Sequence, residues 1–91
     1  MPFAYILTNK INTVLYTGVT NNIERRVFEH KYNKRKKSFT TRYNVKKLVW
    51  LEEFSSIDEA ISAEKKIKGW SRKRKNDLIK KDNPNFEEIR L

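Results

Sequence analysis

Apolar and polar positions recur along this chain at two spacings, one suited to strands and one to helices. Phe3-Ala4-Tyr5-Ile6-Leu7-Thr8 and Val14-Leu15-Tyr16-Thr17-Gly18-Val19 are short runs of aromatic and β-branched residues, which fit a pleated strand. Asn9 to Thr13, with two asparagines, reads as the hairpin loop between them. Antiparallel pairing of the two runs brings Tyr5 and Tyr16 near each other, although the register is not set by the pattern alone. A third strand is expected over Lys46 to Phe54, centred on Leu48-Val49-Trp50-Leu51.

Helical spacing marks three further segments. Asn21 or Asn22 can cap a helix running to about Tyr32, with Ile23, Val27 and Phe28 as its apolar positions. Arg26 and His30 are four apart there and share a face. Ser56-Ile57-Asp58-Glu59 is a capping box, and Ile57, Ala60, Ile61, Glu64 and Ile67 follow on one stripe. Glu64 therefore stands on an apolar face, where a carboxylate costs free energy unless a cation meets it. Gly69 and Ser71 interrupt the chain before a short basic helix from Arg72 to about Lys81, with Leu78 and Ile79 inward. Asn83-Pro84 ends it, and Phe86 and Ile89 are expected to pack back on the core. The order is ββαβαα, an α/β (α+β) class with one small antiparallel sheet, and residues 1–91 are expected to form one domain with one modest core.

Composition narrows the partners. Twenty-one Lys and Arg against 11 Asp and Glu leave a net charge of +10, which points to a polyanion: DNA, RNA or an anionic membrane surface. The charge is clustered: Lys31 to Lys47 contains eight basic residues and no acid, and Lys65 to Lys81 contains nine with one acid, Asp77. One such run reads equally well as a solvated face, whereas two in a short chain favour a nucleic-acid surface. Lys34-Arg35-Lys36-Lys37, followed by Phe39, Arg42 and Tyr43, interleaves cations with aromatic rings, and Lys46, Arg72, Lys73 and Arg74 extend the set. With no cysteine, a disulfide framework and thiolate metal sites are excluded. No apolar run reaches the roughly 20 residues a membrane span needs, and a cytoplasmic protein with no membrane partner is expected.

Taken together, these residues resemble the GIY-YIG endonuclease family, and most closely its small stand-alone bacterial branch. Phe3-Ala4-Tyr5 stands where that family has its first triplet and Tyr16-Thr17-Gly18 where it has its second. The match continues through Asn22-Ile23-Glu24-Arg25-Arg26, Glu29-His30, Glu64-Lys65-Lys66-Ile67-Lys68 and Asn83-Pro84. Of the six letters that name the family, Tyr5, Tyr16 and Gly18 are kept, so the ordered combination carries the likeness rather than either triplet.

The resemblance implies a three-stranded antiparallel sheet flanked by helices, and cleavage of a DNA phosphodiester with one divalent cation, Mg²⁺ or Mn²⁺. It implies that Tyr5 and Tyr16 are active-site phenols, one of them a general base, with nearby cations lowering a pKa that is ordinarily about 10. Arg26 would bind the scissile phosphate, His30 would relay or donate a proton, and Glu64 would hold the metal. Gly18 and Asn83 would support the site, although Asn83 serves equally well as a cap before Pro84. The basic runs would grip phosphates without reading sequence. A non-catalytic nucleic-acid-binding module on the same scaffold is the alternative, as is a small RNA-binding protein. Either way, a protein partner or a second copy would help to find targets.

Overall fold

The computed structural model describes residues 1–32 and 44–91, and Lys34, Arg35, Lys36, Lys37, Arg42 and Tyr43 fall outside the described residues. Strand β1 (Phe3–Thr8) lies in the middle of a three-stranded sheet ordered β2-β1-β3, with β2 spanning Leu15–Thr20 and β3 spanning Lys47–Glu53. Both pairings are antiparallel. The central position explains why β1 is buried on both sides from Ala4 to Thr8.

A register shift between Ile6 and Leu7 shapes β3. Ile6 faces Trp50 and Leu7 faces Leu48, which leaves Val49 as an extra residue. The bulge accounts for the unbroken apolar run Leu48-Val49-Trp50-Leu51. Leu48 and Leu51 join one core cluster while Val49 and Trp50 join the other.

Three helices cover the two faces. α1 (Ile23–Tyr32) packs Ile23 and Val27 against Tyr5, Leu7, Val45 and Leu48. α2 (Ile57–Lys68) and α3 (Arg72–Asp82) place Ile67 and Ile79 against Ala4, Ile6, Val49 and Trp50. The ends of the helices follow their sequence signals: Asn22 Oδ1 accepts from Arg25 N at 3.0 Å, Ser56 Oγ from Glu59 N at 3.2 Å, and Ser71 Oγ from Arg74 N at 3.3 Å. The buried stripe of α2 begins at Ala60 rather than at Ile57, which is 38% exposed because it sits in the first turn, at the rim of the sheet.

The C-terminal segment packs Ile89 on the α1 side and Phe86 on the opposite side. Asn83 Nδ2 donates to Val49 O at 3.0 Å and to Glu87 O at 2.8 Å, and Glu87 N donates to Asn83 Oδ1 at 3.0 Å. Ile89 N then donates to Leu48 O at 2.8 Å, and Phe86 is buried in the core, as its hydrophobicity requires. Among the described residues, no helix is long and apolar enough to cross a membrane.

Candidate active site

Strand register sets the first part of the site. Tyr5 lies opposite Gly18 and Leu7 lies opposite Tyr16, so the two tyrosines are diagonal neighbours on one face of the sheet. Their ring centroids are 6.3 Å apart. Gly18 is required by close approach: a Cβ there would lie 2.5 Å from Tyr5 Cζ and 2.9 Å from Cε1, so only a hydrogen leaves room for the ring.

α1 crosses this face and brings His30 to both phenols. The imidazole centroid lies 6.0 Å from the Tyr5 ring and 5.5 Å from the Tyr16 ring, edge-on to the latter. Tyr5 Oη and His30 Nε2 are 3.2 Å apart. One turn earlier, Arg26 Nε lies 3.5 Å from Glu29 Oε1, and its positive charge acts on the Tyr5 phenol. Arg25 Nε also lies 3.5 Å from Glu29, at Oε2, but its side chain is far more exposed than that of Arg26.

Ionisation within the site departs from expectation. Tyr5 is 0% exposed, and its burial drives the phenol pKa well above its ordinary value of 10; Tyr16 adds to the rise and Arg26 only partly offsets it. The lowering expected from neighbouring cations is therefore overridden by desolvation, and Tyr5 remains a protonated phenol at neutral pH. His30 moves the other way for the same reason. Burial and the adjacent Arg26 charge hold it below 6.5 against a smaller opposing pull from Glu29, so the ring is neutral at pH 7.

Glu64 enters from α2. It is 8% exposed, and its Oε2 accepts a hydrogen bond from Lys68 Nζ at 2.8 Å, one turn along the helix. This ion pair answers the question posed by a carboxylate on an apolar stripe. The Glu64 carboxylate raises the Lys68 pKa, and Tyr16 adds a smaller rise. Lys68 carried no role in the sequence reading, although its i,i+4 spacing from Glu64 was visible there.

The remaining candidates are distributed elsewhere. Arg72 donates to Asn12 O at 2.6 Å and Thr13 O at 2.8 Å, so its guanidinium braces the β1–β2 loop. Lys73 pairs with Asp77 at 3.0 Å, and Arg74 lies 4.4 Å above the Trp70 ring. Lys46 is exposed at the start of β3, beside Lys47. Asn83 ties the C-terminal segment to β3, the capping and packing role rather than a place among the clustered side chains.

A three-stranded antiparallel sheet flanked by helices, with two tyrosines side by side on its first two strands, corresponds to the GIY-YIG domain. The sequence profile of the GIY-YIG catalytic domain matches residues 1–77, and the chain belongs to that family, whose nucleases generally use a divalent metal. The chain is similar to small proteins designated UPF0213. It is 43% identical over 77 residues to one from Staphylococcus haemolyticus, covering 85% of this chain and 92% of the relative. It is 40% identical over 77 residues to one from Natronomonas pharaonis, covering 85% and 88%. Among solved structures, the solution NMR structure of a UPF0213 protein from Bacillus halodurans matches with a TM-score of 0.58 and 32% identity, covering 96% of this chain and 92% of that one.

The donor set suits a hard cation held loosely. Among the described residues no three His, Cys, Asp or Glu side chains gather into a cage. Glu64 is a largely buried carboxylate that already takes a cation, the Lys68 ammonium. One carboxylate supplemented by water and substrate phosphate is the usual way Mg²⁺ is bound, so the residues fit such an ion.

Proposed function

We propose that this protein is a DNA endonuclease that hydrolyses phosphodiester bonds with a single Mg²⁺ or Mn²⁺ held by Glu64. The observation that carries the proposal is the meeting of Tyr5, Tyr16 and His30 on one sheet face, with the Arg26 charge acting on Tyr5; a largely buried Glu64, paired with Lys68, supports it from α2.

Arg26, partly exposed on its helix, binds the scissile phosphate and stabilises the charge that builds on it during attack. Tyr16 is half-buried and presents its phenol to the attacking water. Tyr5, fully enclosed, acts as a positioning residue: Nε2–H of a neutral His30 donates to its oxygen, which fixes the ring and leaves Nδ1 as the basic nitrogen. A neutral imidazole is able to take up the proton that water must lose, and it places general-base duty on the Tyr16–His30 pair rather than on Tyr5. The bound cation would supply Lewis-acid stabilisation of the leaving oxygen. Lys68 neutralises Glu64 when no metal is present and becomes available to a phosphate oxygen when its partner is taken.

The same Lys68 contact favours a second reading, a nucleic-acid-binding module in which the ammonium permanently occupies the metal position. One assay separates the two. Branched, nicked and plain DNA are incubated with Mg²⁺ or Mn²⁺ and either the wild-type protein or Glu64→Ala. Cleavage by wild type alone supports the enzyme. Equal or absent cleavage by both, with tight salt-sensitive binding, supports the module.

A further inference from the structure

α1 carries two exposed aromatic rings that neither the core nor the site uses. Phe28 is 63% exposed and Tyr32 is 65% exposed, and their ring centroids lie 4.8 Å apart, one helical turn along the same face. Neither belongs to a core cluster. A scattered apolar side chain on a surface needs no explanation, but two rings in contact there form a stacking surface.

The rings sit between two recesses that share Lys31 and Tyr32. One, of about 420 Å³, is walled by Lys10, Lys31, Lys46 and Lys47 around Tyr32, with Glu88. The other, of about 340 Å³, runs beneath Phe28 past Val27 and Arg90, with Glu24. Five cations, Lys10, Lys31, Lys46, Lys47 and Arg90, therefore face two carboxylates, Glu24 and Glu88, and Glu88 is paired with Lys31 and, at 3.9 Å, with Arg90. A charged track with aromatic rings along it is the arrangement by which proteins hold unpaired nucleic acid: lysines follow the backbone and rings stack on bases of any identity. A patch built for a second copy of the chain or for an apolar partner has no use for this surplus of lysines, which a core interface excludes.

We propose that the outer face of α1 binds an unpaired nucleic-acid strand, with one base stacked on Phe28 and another on Tyr32 and the backbone lying along Lys46 and Lys47. This rests on the reading of the protein as a nuclease acting on nucleic acid. Phe28 and Tyr32 stand about 200° around the helix from Arg26 and His30, so the stacking face lies across α1 from the phosphate site. The substrate class that uses both is nucleic acid with a single-stranded arm, in which one segment occupies the site and the unpaired arm passes round the helix.

The test is binding of the full chain, in EDTA to stop cleavage, to a single-stranded oligonucleotide carrying 2-aminopurine and to a blunt duplex of the same length. Phe28→Ala and Tyr32→Ala are each expected to weaken single-strand affinity about tenfold, equivalent to about 1.4 kcal/mol, and to abolish part of the quenching that stacking produces. Tyr32→Phe should retain both, and duplex affinity should stay within about twofold in every variant. Wild-type single-strand affinity and quenching in both alanine variants would overturn the inference while leaving the nuclease reading intact. So would a loss of self-association on sedimentation with DNA affinity unchanged, which assigns the rings to a second copy. Failure of the wild-type protein to bind either oligonucleotide would overturn the nuclease reading as well.

Discussion

Gly18 and Tyr5 constrain each other at the scale of single residues. In an ordinary strand, replacing glycine by alanine gains about 0.5–1 kcal/mol from reduced chain entropy. Here the added methyl would meet the Tyr5 ring, and overpacking of that kind costs about 1–3 kcal/mol. Gly18→Ala is therefore expected to lower the urea midpoint, and an unchanged or higher midpoint would show that the Tyr5 ring is not seated against residue 18. His30 makes a second residue-scale prediction, free of interference because it is the only histidine. Its folded-state pKa lies below 6.5, so the unfolded chain binds the proton more readily. The stability it contributes is fully present above about pH 6.5 and is lost as pH falls through the folded value. Unfolding free energy measured from about pH 7.5 down to 5 should fall with pH, and His30→Gln should flatten the upper part of that fall. A ring titrating at or above 6.5 by NMR would contradict the burial of this site.

Elements were legible where local chemistry decides them. The cap at Ser56, the restart at Ser71 and the hairpin loop at Asn9–Thr13 were readable because a side chain a few residues away satisfies the exposed backbone groups. The nearness of Tyr5 and Tyr16 was legible from antiparallel pairing, but their common face follows from the register, which the pattern left open. The bulge at Val49 was not readable, because Leu48-Val49-Trp50-Leu51 is apolar throughout and gives no alternation to count. Nor was the brace from Arg72 to the hairpin loop, a contact across 60 residues that no spacing encodes. The burial of Tyr5 depends on α1 closing over the sheet, so the direction of its ionisation was hidden too. Asn83 shows the same limit: its three hydrogen bonds fasten the C-terminal segment to β3. Asn83→Ala should cost about 1–3 kcal/mol and speed amide exchange at Ile89, whose N–H bonds Leu48 O. Unchanged protection at Ile89 would show that Phe86 and Ile89 hold the segment without it.

At the scale of the whole molecule, a net charge of +10 and a neutral, partly buried cluster of phenol and imidazole divide the work. In the proposed function charge gathers nucleic acid without reading sequence, and the affinity it supplies should fall steeply with added salt, linearly in log–log form. In the proposed site Arg26 and Glu64 come from different helices, so no single segment of the chain contains it. Whether Glu64 holds the catalytic cation is decided by single-turnover cleavage of a branched DNA by saturating protein. Glu64→Gln keeps the side chain's size and removes its charge. Mg²⁺-dependent cleavage is expected from the wild-type protein and a loss of about 100-fold or more in the variant, with metal-free DNA binding and thermal midpoint little changed. Equal rates in the two proteins, across the full range of Mg²⁺, would contradict that role for Glu64.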